Sequence, residues 1–176
     1  MEINRREIIG AGLVAAWTLV VSRKAAAATS GPAGTYSAGG EGRPSEADLT
    51  ALIARARAAA GNAYMPYSKF KVGAAVLTDD GQVFAGCNVE NASYGLTICA
   101  ERNAVFQMVA QGRLKIRAVA IYTPTKTPTA PCGACRQVIN EFGPDALVVS
   151  GCDGPERTVF RLSELLPGAF GPANLK

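Results

Sequence analysis

Cys99-Ala100-Glu101-Arg102 and Pro131-Cys132-Gly133-Ala134-Cys135 are the two stretches on which the fold turns. Each stands where a helix begins. Ala100 to Ala110 reads as a helix that stops at Gly112, and Gly133 to Phe142 as one that stops at Gly143. Ala118 to Tyr122 is a short apolar run between them. Ala146 to Ser150 and Thr158 to Leu162 follow the second helix, and all three runs read as strands. Upstream, Val72 to Leu77 and Val83 to Cys87 flank Asp79-Asp80-Gly81, which is the pattern of a hairpin. Ser45-Glu46-Ala47-Asp48 is a capping-box start. Leu49, Leu52, Ile53, Ala56 and Ala60 then recur at helical spacing up to Gly61. The predicted order is α-β-β-α-β-α-β-β. It indicates an α/β fold, a three-layer α/β/α sandwich around a mixed five-stranded sheet, over residues 45–176.

The whole chain has 176 residues, 48% apolar and 18% charged, enough to bury a core without disulfides. Its net charge of +4 sits partly in the first 28 residues. Setting aside Arg5, Arg6, Arg23 and Lys24 leaves 14 basic residues, and setting aside Glu2 and Glu7 leaves 12 acidic ones. No basic stripe survives, so a nucleic acid partner is disfavoured and a small substrate fits better.

The chain contains no histidine. That excludes a Ser-His-Asp or Cys-His pair and any His-ligated metal, and leaves Glu, Asp, Lys, Tyr or Cys for acid-base work. The five cysteines are Cys87, Cys99, Cys132, Cys135 and Cys152. An odd number argues against a fully paired disulfide framework, and a cluster containing Cys-x-x-Cys points to metal.

Met1 to Ala28 reads as an export signal. Arg5-Arg6 precedes an apolar run from Ile8 to Val21, and Ala25-Ala26-Ala27-Ala28 suits a signal peptidase. The run is shorter than the roughly 18 residues that span a bilayer. Tandem arginines give it a twin-arginine character, which implies export to the periplasm and no stable membrane association of the mature chain. An uncleaved anchor, or an upstream stretch from a misassigned start with the protein in the cytosol, are the other readings. Residues 29–44, rich in Gly, Ser, Ala and Pro, read as a flexible linker.

The two opening stretches carry the chemistry. Cys132 and Cys135 place both thiols on one side of a helix start, where the dipole favours thiolates. With Cys99 they form a three-thiolate set for one Zn²⁺. Structural zinc is closed by four ligands, whereas three leave a position for water. Glu101, two residues after Cys99, is placed to move protons at that position. Taken singly, a Cys-x-x-Cys is more often redox-active or part of a closed site, and a glutamate at a helix start merely complements the dipole. Together, in this order, they match the pattern of zinc-dependent base deaminases, with cysteine in place of the first histidine. Cys87 and Cys152 read as buried small apolar residues.

The chain resembles the cytidine deaminases of the small homotetrameric class from about Ser45 to Leu175. The resemblance rests on the two stretches above, on Met65-Pro66-Tyr67-Ser68-Lys69-Phe70-Lys71-Val72-Gly73-Ala74-Ala75 and on Gly86-Cys87-Asn88-Val89-Glu90-Asn91-Ala92-Ser93-Tyr94-Gly95. Arg136-Gln137, Glu164-Leu165-Leu166-Pro167 and Phe170-Gly171-Pro172 extend it. It implies hydrolytic deamination of cytidine, and of deoxycytidine, within pyrimidine salvage. Cys99, Cys132 and Cys135 would hold one zinc, and Glu101 would carry protons between water, N3 and the leaving ammonia. Asn88 and Glu90 would hydrogen-bond the ribose hydroxyls, Phe70 would stack on the pyrimidine, and the Ala100 N–H would meet the ring carbonyl. Arg102 and Gln137 would hydrogen-bond the thiolates, while Tyr94 and Phe170 would reach a neighbouring subunit's site in a homotetramer. Lys71 and Asn103 stand where many members have proline and threonine.

Overall fold

The computed structural model of the protein describes residues 42–175. The signal-like segment 1–28 lies outside the described residues, as does the linker 29–44 apart from its last three positions.

Helix α1 (Glu46–Ala60) starts as its sequence dictates. The Ser45 hydroxyl accepts the Asp48 N–H, and the Asp48 carboxylate accepts the Ser45 N–H. The chain then forms β1 (Gly73–Thr78), β2 (Val83–Cys87), α2 (Ala100–Ala110), β3 (Ile116–Tyr122), α3 (Gly133–Phe142), β4 (Leu147–Gly151), β5 (Arg157–Arg161) and a one-turn helix α4 (Leu162–Leu165). Short 3-10 turns cover Tyr94–Leu96 and Pro172–Leu175.

The five strands form one sheet in the order β2-β1-β3-β4-β5. Only β3 and β4 run parallel, joined by α3 as a crossover; every other neighbouring pair is antiparallel. Successive side chains alternate between two buried faces. Ala75, Leu77, Ala118, Ala120, Leu147 and Val149 pack against Leu49, Leu52, Ala56 and Ala60 of α1. Ala74, Val76, Val119, Ile121 and Val148 pack against Ala100, Ala104, Val105 and Met108 of α2 and Ile139 of α3. The three layers and the mixed five-stranded sheet are as the sequence indicates.

Small residues let the layers close. A Cβ on Gly73 would lie 2.0 Å from the Ala56 carbonyl oxygen, so only glycine allows α1 to rest on β1 here. A Cβ on Gly86 would lie 2.6 Å from the Ala104 nitrogen and 2.8 Å from the Ala100 oxygen, so β2 and α2 touch backbone to backbone. The outer edge of β2 is covered in the same way. Asn103 Nδ2 donates to the Cys87 carbonyl at 2.8 Å, and Gln107 Nε2 to the Ala85 carbonyl at 3.0 Å. These bonds occupy acceptors that an edge strand would otherwise offer to another strand.

Some boundaries differ from the sequence reading. β1 begins at Gly73, because the Val72 N–H is taken by Asn88 Oδ1 at 2.9 Å. β5 ends at Arg161 and Leu162 opens α4, because the Glu164 carboxylate accepts the Arg161 N–H at 2.6 Å and caps a helical turn. Apolar character marks burial rather than conformation, and Leu162 is buried as the first residue of a helix.

The topology gathers chain ends at one edge of the sheet. Gly73 pairs with Cys87 on one side and Tyr122 on the other, and Tyr122 pairs with Gly151. The segment entering β1 and the segments leaving β2, β3 and β4 therefore meet there. Such an edge, at the carboxyl ends of the parallel pair, is where α/β sheets place their sites.

Candidate active site

Two helix N-termini bring the three thiols together. Cys99 is the N-cap of α2 and Cys132 the N-cap of α3, both in extended conformation, while Cys135 lies buried in the first turn of α3. The three sulfurs lie within 4.8 Å of one another. Cys99 and Cys132 are 3.9 Å apart and Cys132 and Cys135 3.5 Å. Tetrahedral zinc with bonds of about 2.3 Å would set its sulfurs about 3.8 Å apart, so the spacing fits one such ion. No other group of three or more ligating side chains close enough to hold an ion occurs among the described residues. Cys152 instead donates towards the Glu156 carbonyl at 3.3 Å, and Cys87 lines a groove with Asn103, Phe106 and Gln107. Neither supplies a fourth thiolate, so the set stays open for water.

The charges around the thiols follow from the crowding. Hydrogen bonding from Cys135, with further help from Arg102 and Cys132, brings the Cys99 thiol down to about 5. The same bond and burial push the Cys135 thiol up. Hydrogen bonds from the two neighbouring thiols stabilise the Cys99 thiolate. Arg102 Nη2 lies 3.7 Å from Cys99 Sγ and 3.0 Å from the Thr97 carbonyl. Burial works against the Arg102 charge, but Cys99 and the other two sulfurs outweigh it and hold the guanidinium above its ordinary range. Its Nε is buried without a partner.

Glu101 occupies the first turn of α2 and is only 4% exposed. Burial pushes its carboxyl above the usual range, and the Cys99 charge adds to the effect. A carboxyl with raised proton affinity beside a metal-ligand set is suited to accept and return a proton.

Of the remaining residues named from the sequence, Asn88, Glu90, Phe70 and Ala100 lie on the segments that meet at this edge of the sheet. Val89 exchanges two backbone hydrogen bonds with Ile98, at 2.9 and 3.0 Å, which lays the segment after β2 alongside the residue preceding Cys99. Asn88 and Glu90 flank Val89 and share the opposite side of this short extended segment. Asn88 Nδ2 donates to the Phe70 carbonyl at 2.8 Å. The Phe70 ring is 42% exposed and is therefore not core. Ala100 is fully buried, and as the first residue of α2 its N–H has no partner within the helix. Tyr94 is 73% exposed and Phe170 58%. Tyr94 rests on Tyr67, ring centroids 5.7 Å apart. Gln137, expected at the thiolates, turns elsewhere: its Nε2 donates to the Phe170 carbonyl at 2.9 Å.

Residues 46–151 match the family profile of the cytidine and deoxycytidylate deaminase zinc-binding region. The chain belongs to this family. It is 51% identical over 124 residues to the cytidine deaminase of Halalkalibacterium halodurans, covering 70% of this chain and 94% of that one. It is 47% identical over 126 residues to the cytidine deaminase of Mycobacterium tuberculosis, covering 72% and 92%. Among solved structures, the cytidine deaminase of Burkholderia pseudomallei superposes with a TM-score of 0.67 at 52% identity, covering 69% of this chain and 98% of that one. The profile match lies within the described residues, as the sequence motifs do.

Two side chains in this member of the deaminase family were not singled out by the sequence. Arg136 Nε donates to the Pro131 carbonyl at 2.8 Å and its Nη1 to the Leu165 carbonyl at 2.8 Å, so it braces the turn carrying Cys132 against α4. Ser68 bonds the Glu90 carboxylate through both its hydroxyl and its N–H. The local signal for the first was an arginine one residue after a ligand. For the second there was none, because its partner is remote in sequence.

Proposed function

We propose that the chain catalyses zinc-dependent hydrolytic deamination of cytidine, and of deoxycytidine, to uridine or deoxyuridine and ammonia, a step of pyrimidine salvage. The observation that carries this reading is Glu101, a carboxyl buried in the first turn of the helix whose N-cap is one of three clustered thiols. The shared sequence with relatives named cytidine deaminase supports the choice of substrate.

Cys99, Cys132 and Cys135 would hold zinc, which would supply a water acidified enough to act near neutral pH. Glu101 would take a proton from the attacking water and deliver it to N3 of the ring as the water oxygen bonds to C4. It then passes the water's second proton to the amino group, which leaves as ammonia when the C4–N bond breaks. Arg102 offsets the negative charge of the three thiolates. The Ala100 N–H holds the ring carbonyl, and Phe70 offers its face to the pyrimidine. Asn88 and Glu90 take the ribose hydroxyls with an amide and a carboxylate.

The exposed Tyr94 and Phe170 support a homotetramer in which these aromatics reach a neighbouring subunit's site. The Arg5-Arg6 pair and the apolar run that follows support export to the periplasm by a twin-arginine signal. Sequencing the N-terminus of protein recovered from the periplasm tests this. A cytosolic protein starting near Ser45 would overturn it.

The activity is tested by following the absorbance change on cytidine with zinc quantified in the same sample. Turnover with close to one zinc per chain is expected, and free cytosine should be a poor substrate, because it leaves the ribose-binding groups unpaired. Equal rates on base and nucleoside would remove Asn88 and Glu90 from the site.

A further inference from the structure

Glu90 and Phe70 are joined by one side chain, that of Ser68, to which none of the chemistry above assigns a part. The Glu90 carboxylate accepts three bonds from a single turn: Oε2 from the Tyr67 N–H at 2.9 Å and the Ser68 N–H at 3.2 Å, and Oε1 from the Ser68 hydroxyl. The Ser68 oxygen in turn accepts the Phe70 N–H at 3.0 Å. The Phe70 carbonyl is held from the other side by Asn88. Lys69, between them, adopts φ +58°, a left-handed conformation uncommon for a residue with a side chain and kept only where its surroundings hold it.

We infer that Ser68 is the positioning residue of the sugar-binding half of the site, fixing the Glu90 carboxylate so that its remaining acceptor direction points at a substrate hydroxyl. The inference rests on the nucleoside reading above. An ionised carboxylate offers about four acceptor directions, so three fixed bonds leave one. An exposed carboxylate without these bonds would sample many rotamers, and part of the binding free energy would be lost in ordering it. Hydrogen bonding from the Ser68 hydroxyl, then from the Tyr67 and Ser68 N–H groups, also holds Glu90 below the usual carboxylate range and so keeps it an acceptor. The same hydroxyl anchors the backbone of Phe70, so sugar and base contacts share one joint.

The test is the steady-state kinetics of the zinc-loaded enzyme and its Ser68→Ala and Ser68→Thr variants. Ser68→Ala should raise KM for cytidine roughly tenfold, the weight of a hydrogen bond to a charged group, and leave kcat within about twofold. Ser68→Thr keeps the hydroxyl and should restore most of the loss. Competitive inhibition separates positioning from general loosening: Ser68→Ala should weaken uridine much more than 2′,3′-dideoxyuridine, which has no ring hydroxyl to present. An unchanged KM in Ser68→Ala, a Ser68→Thr variant no better than the alanine, or equal weakening of both inhibitors would overturn the inference. A wild-type enzyme inactive on cytidine would instead overturn the reading on which it rests.

Discussion

On the proposed mechanism Glu101 accepts protons and releases them within one turnover, and its burial in the first turn of α2 raises its proton affinity. Glu101→Gln keeps the shape and removes the proton. The variant should retain zinc but lose about 10²- to 10⁴-fold in kcat. Metal analysis and the cytidine assay on one preparation check this, and near-normal turnover would refute the role. Cys132→Ala should behave differently. It removes the thiol that lies within 3.9 Å of both of its neighbours. Little zinc should remain, and a full complement would count against the three-thiolate site. Both residues were legible in the sequence, because ligand spacing and helix starts are local features. Gln137 was not, since its amide can bond whatever the C-terminal segment brings near, and the fold brings the Phe170 carbonyl.

The elements matter because they carry these residues as rigid bodies. α2 sits directly on β2 at Gly86, where the helix backbone occupies the space a side chain would need. Gly86→Ala should push α2 outward, costing about 1–3 kcal/mol of stability through overpacking. Cys99 and Glu101 would shift with the helix start, so activity should fall together with the melting temperature. A variant with normal activity and stability would show that α2 is free to shift. The hairpin turn between β1 and β2 gives a pH-dependent counterpart far from the chemistry. The Thr78 hydroxyl, then Arg113 at 3.1 Å, hold the Asp80 carboxyl below its ordinary range. Because the folded pKa is depressed, this contribution is present above the unfolded value of about 3.9 and is lost as pH falls through the folded one. Asp80→Asn should therefore lower stability at pH 7 and flatten its decline below about pH 4, by under about 1 kcal/mol for so exposed a pair. Urea melts across that pH range measure it. The helices and strands other than α4 were legible to within a residue or two, because periodicity reports burial. The order β2-β1-β3-β4-β5 was not, since it is set by pairings remote in sequence, such as Gly73 with Tyr122.

At the scale of the whole molecule, the chain exposes large aromatic groups besides Phe70. Tyr94 and Phe170 are both more than half exposed, yet the backbone of Phe170 is held by Gln137 of the same helix that carries Cys132 and Cys135. That is an economical arrangement if the ring serves another chain and its backbone is oriented by its own. The homotetramer reading makes a sharp prediction from this. Glu101→Gln chains lack the proton carrier but keep Phe170, whereas Phe170→Ala chains keep Glu101 but lack the ring. Each alone should be impaired, the first nearly inactive and the second chiefly in KM. Co-expressed, they form mixed oligomers in which an intact Glu101 can meet an intact Phe170 from a neighbour. A population of sites with wild-type KM should then appear, in proportion to the fraction of mixed contacts. Sedimentation of the same samples should give a tetramer. If co-expression yields only the sum of the two separate activities, Phe170 serves its own chain, and the shared site is wrong even where the tetramer is right.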